Sequence, residues 1–253
     1  MPYRILGLMF AVSAWLLPWS AFSQAGTPPS LRLPDAVKPL RYVVELTIVP
    51  SEESFRGSID LELEVKQPTV TIWLNARFLT VELARLEGAG APVQARIVPG
   101  GDDFVGFQFD QALAPGAARL HLEYKGEINR KDTAGVFSLR EGGEWYAFTQ
   151  FEPIRARRVF PSFDEPGYKV PWQLALIVRG EHVAVSNTPA ISETPLPGGM
   201  KRVMFAPTLP LPSYLIALGV GPFDVVDAGT AGMNRTPLRI VTPKGMAAQA
   251  RYA

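Results

Sequence analysis

The sequence predicts an all-β protein, an antiparallel multi-sheet β-sandwich. Three observations carry this. Apolar and polar residues alternate at period two in segment after segment from Tyr42 onward, as strands with one wet face require. Twenty-two glycines and 24 prolines among 253 residues suit short strands joined by turns better than helices. The alternating runs recur at close spacing between Gly/Pro turn signals, the arrangement of sandwich folds. With 47% hydrophobic residues, a chain of this length can bury a real core.

Taken in order, the chain opens on an export signal. Arg4 supplies the positive end, Ile5 to Trp19 an apolar run, and Ala21-Phe22-Ser23 a small-x-small cleavage site, with Ser23-Gln24-Ala25 as a second. The alternative is a membrane anchor. The run falls short of the roughly 20 residues a span prefers, and Pro18 interrupts it. A cleaved signal helix over 1–23 is therefore expected, then a Gly/Pro/Ser linker over 24–30, and a periplasmic or secreted product with no membrane partner.

Tyr42, Val44, Leu46 and Ile48 begin the alternation, and Ile59, Leu61, Leu63 and Val65 continue it against Ser58, Asp60, Glu62 and Glu64. Val70-Ile72-Leu74, Leu79-Val81-Leu83 and Val93-Ala95-Ile97 extend the series. Phe104 to Phe109 follows, where Gly106 marks a bulge. Leu120, Leu122 and Tyr124 alternate with Arg119, His121 and Glu123. Further strands are expected over 172–178, 182–186, 201–205, 214–220 and 238–241, with a turn at Pro195 to Gly199. The Ala-rich segment from Gly245 to Arg251 favours the start of a helix.

One segment fits neither strand nor linker. Thr149 to Trp172 reads TQFEPIRARRVFPSFDEPGYKVPW. Four prolines forbid a useful helix. Three phenylalanines are too many for a solvated linker, and seven charges too many for a buried strand. The remaining reading is an ordered loop whose rings, Phe160, Phe163 and Trp172 among them, face inward. Its charges pair locally or face a cleft. Glu152 precedes Pro153, which pushes it extended, so Gln150 and Glu152 project together while Phe151 faces the core. Two roles stay open for Glu152 at this point: an ion pair with Arg155 or another loop arginine, or a ligand-facing carboxylate.

Composition excludes several classes. Net charge is +1, from 25 basic and 24 acidic residues, so nothing electrostatic calls for nucleic acid or an anionic membrane as partner. There is no cysteine, hence no disulfide and no thiolate nucleophile or ligand. The two histidines, His121 and His182, stand far apart on different expected strands and read as surface residues, His182 beside Glu181. Neither is offered as a metal ligand.

The loop resembles the end of the N-terminal domain of the M1 family of zinc aminopeptidases, in its run TQFEP, then AR, then FP-x-FDEP and Lys169. Ser162 departs from the cysteine many members carry. The likeness extends to LPDAVKPLRY at 33–42, Phe55-Arg56-Gly57, Ser186-Asn187, and the S-Y-L to G-x-F-D stretch ending at Asp224. The resemblance implies a saddle-like β domain over 31–243, with 244–253 starting a catalytic domain the chain lacks. It implies that Glu152 binds the α-ammonium of a peptide N-terminus and that Gln150 lines the pocket for the first side chain. Arg157, Arg158, Asp164, Glu165 and Lys169 are expected to staple the loop to the sandwich. The family's zinc is held by HExxH and a further Glu, and its GxMEN segment helps hold the substrate amine. Both are absent here. Zinc is thus expected in the full-length enzyme and not on this chain, whose partners would be the peptide N-terminus and the missing catalytic domain. The alternative reading is a non-catalytic secreted β-sandwich module binding carbohydrate or protein.

Overall fold

Period-two alternation becomes sheet throughout the structure, a computed structural model that describes residues 26–88 and 91–252. The expected signal helix lies outside those residues. The strands are β1 (Val37–Thr47), β2 (Ser54–Val65), β3 (Thr69–Asn75), β4 (Leu79–Glu87), β5 (Val93–Gln94), β6 (Arg96–Pro99), β7 (Phe104–Leu113), β8 (Gly116–Glu127) and β9 (Gly135–Glu141). Then come β10 (Glu144–Gln150), β11 (Trp172–Arg179), β12 (Val183–Ser186), β13 (Ala190–Leu196), β14 (Met200–Phe205), β15 (Leu218–Gly221), β16 (Phe223–Ala231) and β17 (Thr236–Pro243).

Four sheets result. The largest runs β13-β14-β11-β1-β2-β8-β4-β5, beside β12-β15-β10-β9, β3-β7-β6 and the hairpin β16-β17. Pairing among the named strands is antiparallel except for β1 with β11, which run parallel. Register explains the core. Val44 pairs Ile59, and Ile59 pairs Leu122, so three alternating sets share one face. All three are essentially solvent-free, and burial of each contributes roughly 1.5–3 kcal/mol. The other face carries charge: Asp60 lies opposite His121, and Arg41 opposite Glu62. Ile72, Leu74, Phe107 and Phe109 close the core from the three-stranded sheet.

Several local expectations are corrected. The expected strand over 93–97 is two strands in two sheets: β5 pairs β4 while β6 pairs β7. Ala95 between them is buried, whereas Val93 and Ile97 are exposed. Gly106 forms no bulge. It pairs in register with Trp73 and Val98, and a Cβ there would stand 2.5 Å from Val98 Cγ2 and 2.8 Å from Trp73 Cζ3. Glycine is needed for close approach. The segment over 214–220 begins as a 3-10 turn, Ser213–Leu215, before β15. The C-terminal helix is a 3-10 helix, Ala247–Tyr252. The hairpin β9-β10 and edge strand β13 were not expected. β13 is exposed along most of its length, so no apolar alternation announces it.

Candidate functional site

The 149–172 loop is held from below by an aromatic chain. Phe151 and Phe160 meet edge to face at 5.5 Å, Phe160 and Trp172 lie at 5.2 Å, and Trp172 meets Tyr42 at 4.4 Å. All four rings are buried, and such pairs add about 0.5–1.5 kcal/mol beyond their buried area. Burial drives the Tyr42 hydroxyl far above its ordinary range, so it stays protonated while it accepts the Phe163 N–H at 3.2 Å.

Polar contacts lock the same loop to the sheets. Asn75 and Ser162 exchange backbone hydrogen bonds at 2.9 and 3.1 Å, and Asn75 Oδ1 accepts the Asp164 N–H at 3.0 Å. Asp164 accepts Arg157 Nε–H at 2.8 Å and the Ser213 hydroxyl. The Trp172 N–H donates to Thr208 Oγ1 at 3.0 Å. Glu165 reaches back to the segment before β1, accepting the Leu33 N–H at 2.7 Å. The expected staples therefore divide. Arg157, Asp164 and Glu165 fasten the loop, Arg158 stacks on Phe78 with its guanidinium 5.0 Å from the ring, and Lys169 is exposed with no ion pair among the described residues.

Above this floor the chain presents its rim. Gln150 ends β10 and is exposed, Phe151 is buried, and Glu152 is exposed again. The Glu152–Pro153 peptide is cis, and Arg155 N–H closes a turn onto Phe151 O at 2.6 Å. Gln150 and Glu152 line one cavity of about 270 Å³ with Asp132, Thr133, Ala134 and Arg155. Among the described residues no cation stands within ion-pairing distance of Glu152; the alternative of a pair with Arg155 is not realised. The facing wall is braced by local hydrogen bonds. Asn129 Oδ1 accepts the Lys131 N–H at 2.9 Å, and Asp132 Oδ1 accepts the Ala134 N–H at 2.8 Å. That N–H holds the exposed Asp132 carboxyl below its ordinary range, with Arg158 and Arg155 adding their fields.

The histidines do not converge. His121 Nδ1 lies 2.7 Å from Asp60 Oδ1 on the outer sheet face. Burial raises Asp60, but hydrogen bonds from Arg119 and His121 outweigh it and hold the carboxyl below its ordinary range. His182 is a correction: it is buried, not a surface residue. Its Nδ1 is unpartnered and Glu181 makes no ion pair with it among the described residues. Turn residues at 180–182 gave no alternation from which that burial could be read. Among the described residues no group of three or more His, Asp or Glu is gathered to hold a metal. They do not fit a zinc site.

Phe78 was missed altogether. It is a non-glycine residue at φ +56°, 62% exposed, and the run Asn75-Ala-Arg-Phe78 has no glycine or proline to announce such a backbone at Phe78.

Comparison with known proteins matches residues 38–215 to the Peptidase M1 N-terminal domain. Aminopeptidase M1-A of Oryza sativa subsp. japonica is 36% identical over 234 residues, which cover 88% of this chain and 26% of the rice protein. Aminopeptidase 2 of Candida albicans is 34% identical over 220 residues, covering 84% of this chain and 23% of that protein. Aminopeptidase N of Acetobacter pasteurianus is 33% identical over 230 residues, covering 88% of this chain and 62% of its own length. The chain spans less than two thirds of each of these relatives. The matched region takes in the whole 149–172 loop and the strands that hold it, and the chain belongs to the peptidase M1 N-terminal domain family.

Proposed function

We propose that this chain is the part of an exported zinc aminopeptidase that receives the free amine of a peptide. One observation carries the reading: Glu152 is exposed, shares a cavity with Gln150, and has no cation paired to it among the described residues. A carboxylate so placed attracts an ammonium 4 Å away by about 1 kcal/mol in water and about 4 kcal/mol as solvent is excluded. Gln150 then borders the space for the first side chain. An acylated or internal peptide segment offers no cation, so the preference falls on free N-termini.

The relatives carry the name aminopeptidase, which agrees with this role, and the M1 family is zinc-dependent. The described residues of this chain do not fit zinc, so its share of the work is to bind and orient while cleavage belongs to further polypeptide of the whole enzyme. Export rests on Arg4, the apolar run to Trp19 and Ala21-Phe22-Ser23, and a mass measurement of the mature N-terminus checks it.

The test for the amine site is a chemical-shift titration of the full chain with alanyl-alanyl-alanine amide and with its N-acetyl form. Binding of the free amine alone, weakened about tenfold in Glu152→Gln, is the expected result. Equal binding of both peptides overturns the assignment.

A further inference from the structure

Beside the amine cavity lies a second one of about 360 Å³, lined by Arg77, Phe78, Asp103, Pro153, Ile154, Arg155 and Arg158. Arg155 lines both. The second cavity is rich in cations, and its one carboxylate is already occupied. Asp103 pairs Arg77 at 3.3 Å and Arg157 at 3.6 Å. Arg155 and Arg158 have no carboxylate within ion-pairing distance among the described residues. Asp132 acts on both by field alone and spends its Oδ1 on Asn129 and Ala134, and Glu152, which shares the amine cavity with Arg155, does not pair with it.

The ring of Phe78 gives this cavity its form. Glycine or asparagine would hold a φ of +56° more cheaply than an aromatic residue. The side chain has to be accounted for by what it touches, and it touches two guanidinia. Arg77 and Arg158 each hold their guanidinium carbon over it, 5.0 Å from its centre. Arg77 gives its Nη1 to Asp103, whereas Arg158 has no carboxylate on its N–H groups among the described residues, and a guanidinium edge matches a carboxylate in a bidentate pair. Ile154 is 47% exposed and, with Pro153, adds an apolar wall, which suits an organic anion more than a bare ion.

We propose that this cavity is an anion subsite that takes a carboxylate of the same peptide whose amine meets Glu152, with Arg155 and Arg158 as its donors. This rests on the amine-binding reading above. It gives the chain a substrate class: peptides that are acidic near the N-terminus or short enough for their terminal carboxylate to reach. The amine and the carboxylate are then read by two neighbouring sites of opposite sign, separated by the Pro153-Ile154 step.

The experiment uses probes without an amine, so that its outcome does not depend on Glu152. The full chain is titrated with acetyl-alanyl-alanine acid, acetyl-alanyl-glutamate amide and acetyl-alanyl-glutamine amide, read by chemical shifts. At least one carboxylate probe is expected to bind, and the neutral glutamine probe not. Preference for the first probe names the terminal carboxylate, and preference for the second the side chain. Arg155→Gln, at an exposed position, should weaken binding about tenfold, and the double change with Arg158→Gln should abolish it. Arg158→Lys keeps the charge but not the fork and should fall between. Glu152→Gln should leave these probes bound as before or tighter. Equal binding of neutral and anionic probes, or undiminished binding by a folded Arg155→Gln chain, overturns the subsite whatever Glu152 does. Loss of amine binding alone overturns only the first site.

Discussion

Asp164 accepts the Arg157 Nε–H at 2.8 Å in a pair almost wholly removed from solvent, the carboxylate side chain being 1% exposed and the guanidinium side chain 11%. The two residues are seven apart, and the loop between them carries Phe160 and Phe163 into the core. Removing one partner of a buried pair leaves the other charge desolvated and unpaired. Asp164→Asn is therefore expected to destabilise the fold by about 3–5 kcal/mol, measured by urea unfolding. A loss within the range of an exposed pair would mean that the loop is held by its aromatics and its remaining hydrogen bonds.

Glu152 is the opposite case. Exposed and unpaired among the described residues, it should contribute little to folding, and Glu152→Gln should change stability by no more than about 0.5 kcal/mol. The same change should weaken binding of free-amine peptides about tenfold, since the attraction removed is on the order of 1 to 4 kcal/mol. Unchanged affinity would remove Glu152 from its role.

Gly106 tests close approach. An added methyl would meet Val98 and Trp73 inside normal contact distance, and overpacking of this kind costs about 1–3 kcal/mol. Gly106→Ala should lower the urea midpoint accordingly, while Gly101→Ala, where nothing stands near but φ is +80°, should be penalised by its backbone alone.

His182 makes stability depend on pH. Burial holds its imidazole below the ordinary value, with Glu181 and Glu144 opposing and Arg179 and Lys201 adding to the shift. The unfolded chain then binds the proton more readily than the folded one. Its contribution is intact above the ordinary imidazole value of about 6.5 and is lost as pH falls from there through the folded value. His182→Gln should flatten unfolding stability across that interval. An identical pH profile in the variant would refute the assignment. Asp60, also depressed, has the same sign, but its window lies lower, in the carboxylate range.

Much was legible beforehand because it is local. The alternation of Ile59, Leu61 and Leu63 fixes which side chains share a face whatever sheet the strand joins. Proline spacing excluded a helix of useful length from the 149–172 loop, which holds the single 3-10 turn Ala156–Arg158, and Phe151 between Gln150 and Glu152 placed those two together on the outside. β13 escaped notice because its exposed residues carry no alternation. The hairpin β9-β10 is mixed in burial, with Tyr146 and Ala147 adjacent and both buried, so period two fails there.

The chain's own residues thus determined the sheet-forming character, the ordered loop and the outward pairing of an amide with a carboxylate, since each depends on neighbours within a few positions. Tertiary structure alone decided which charges find partners. Arg157 is quenched by Asp164 whereas Arg155, two residues earlier, faces an open cavity without a carboxylate partner among the described residues, and Phe78 comes from a distant strand boundary to meet the Arg158 guanidinium. Coulomb and stacking energies fall within a few ångströms, and only folding brings residues so distant in sequence to that range.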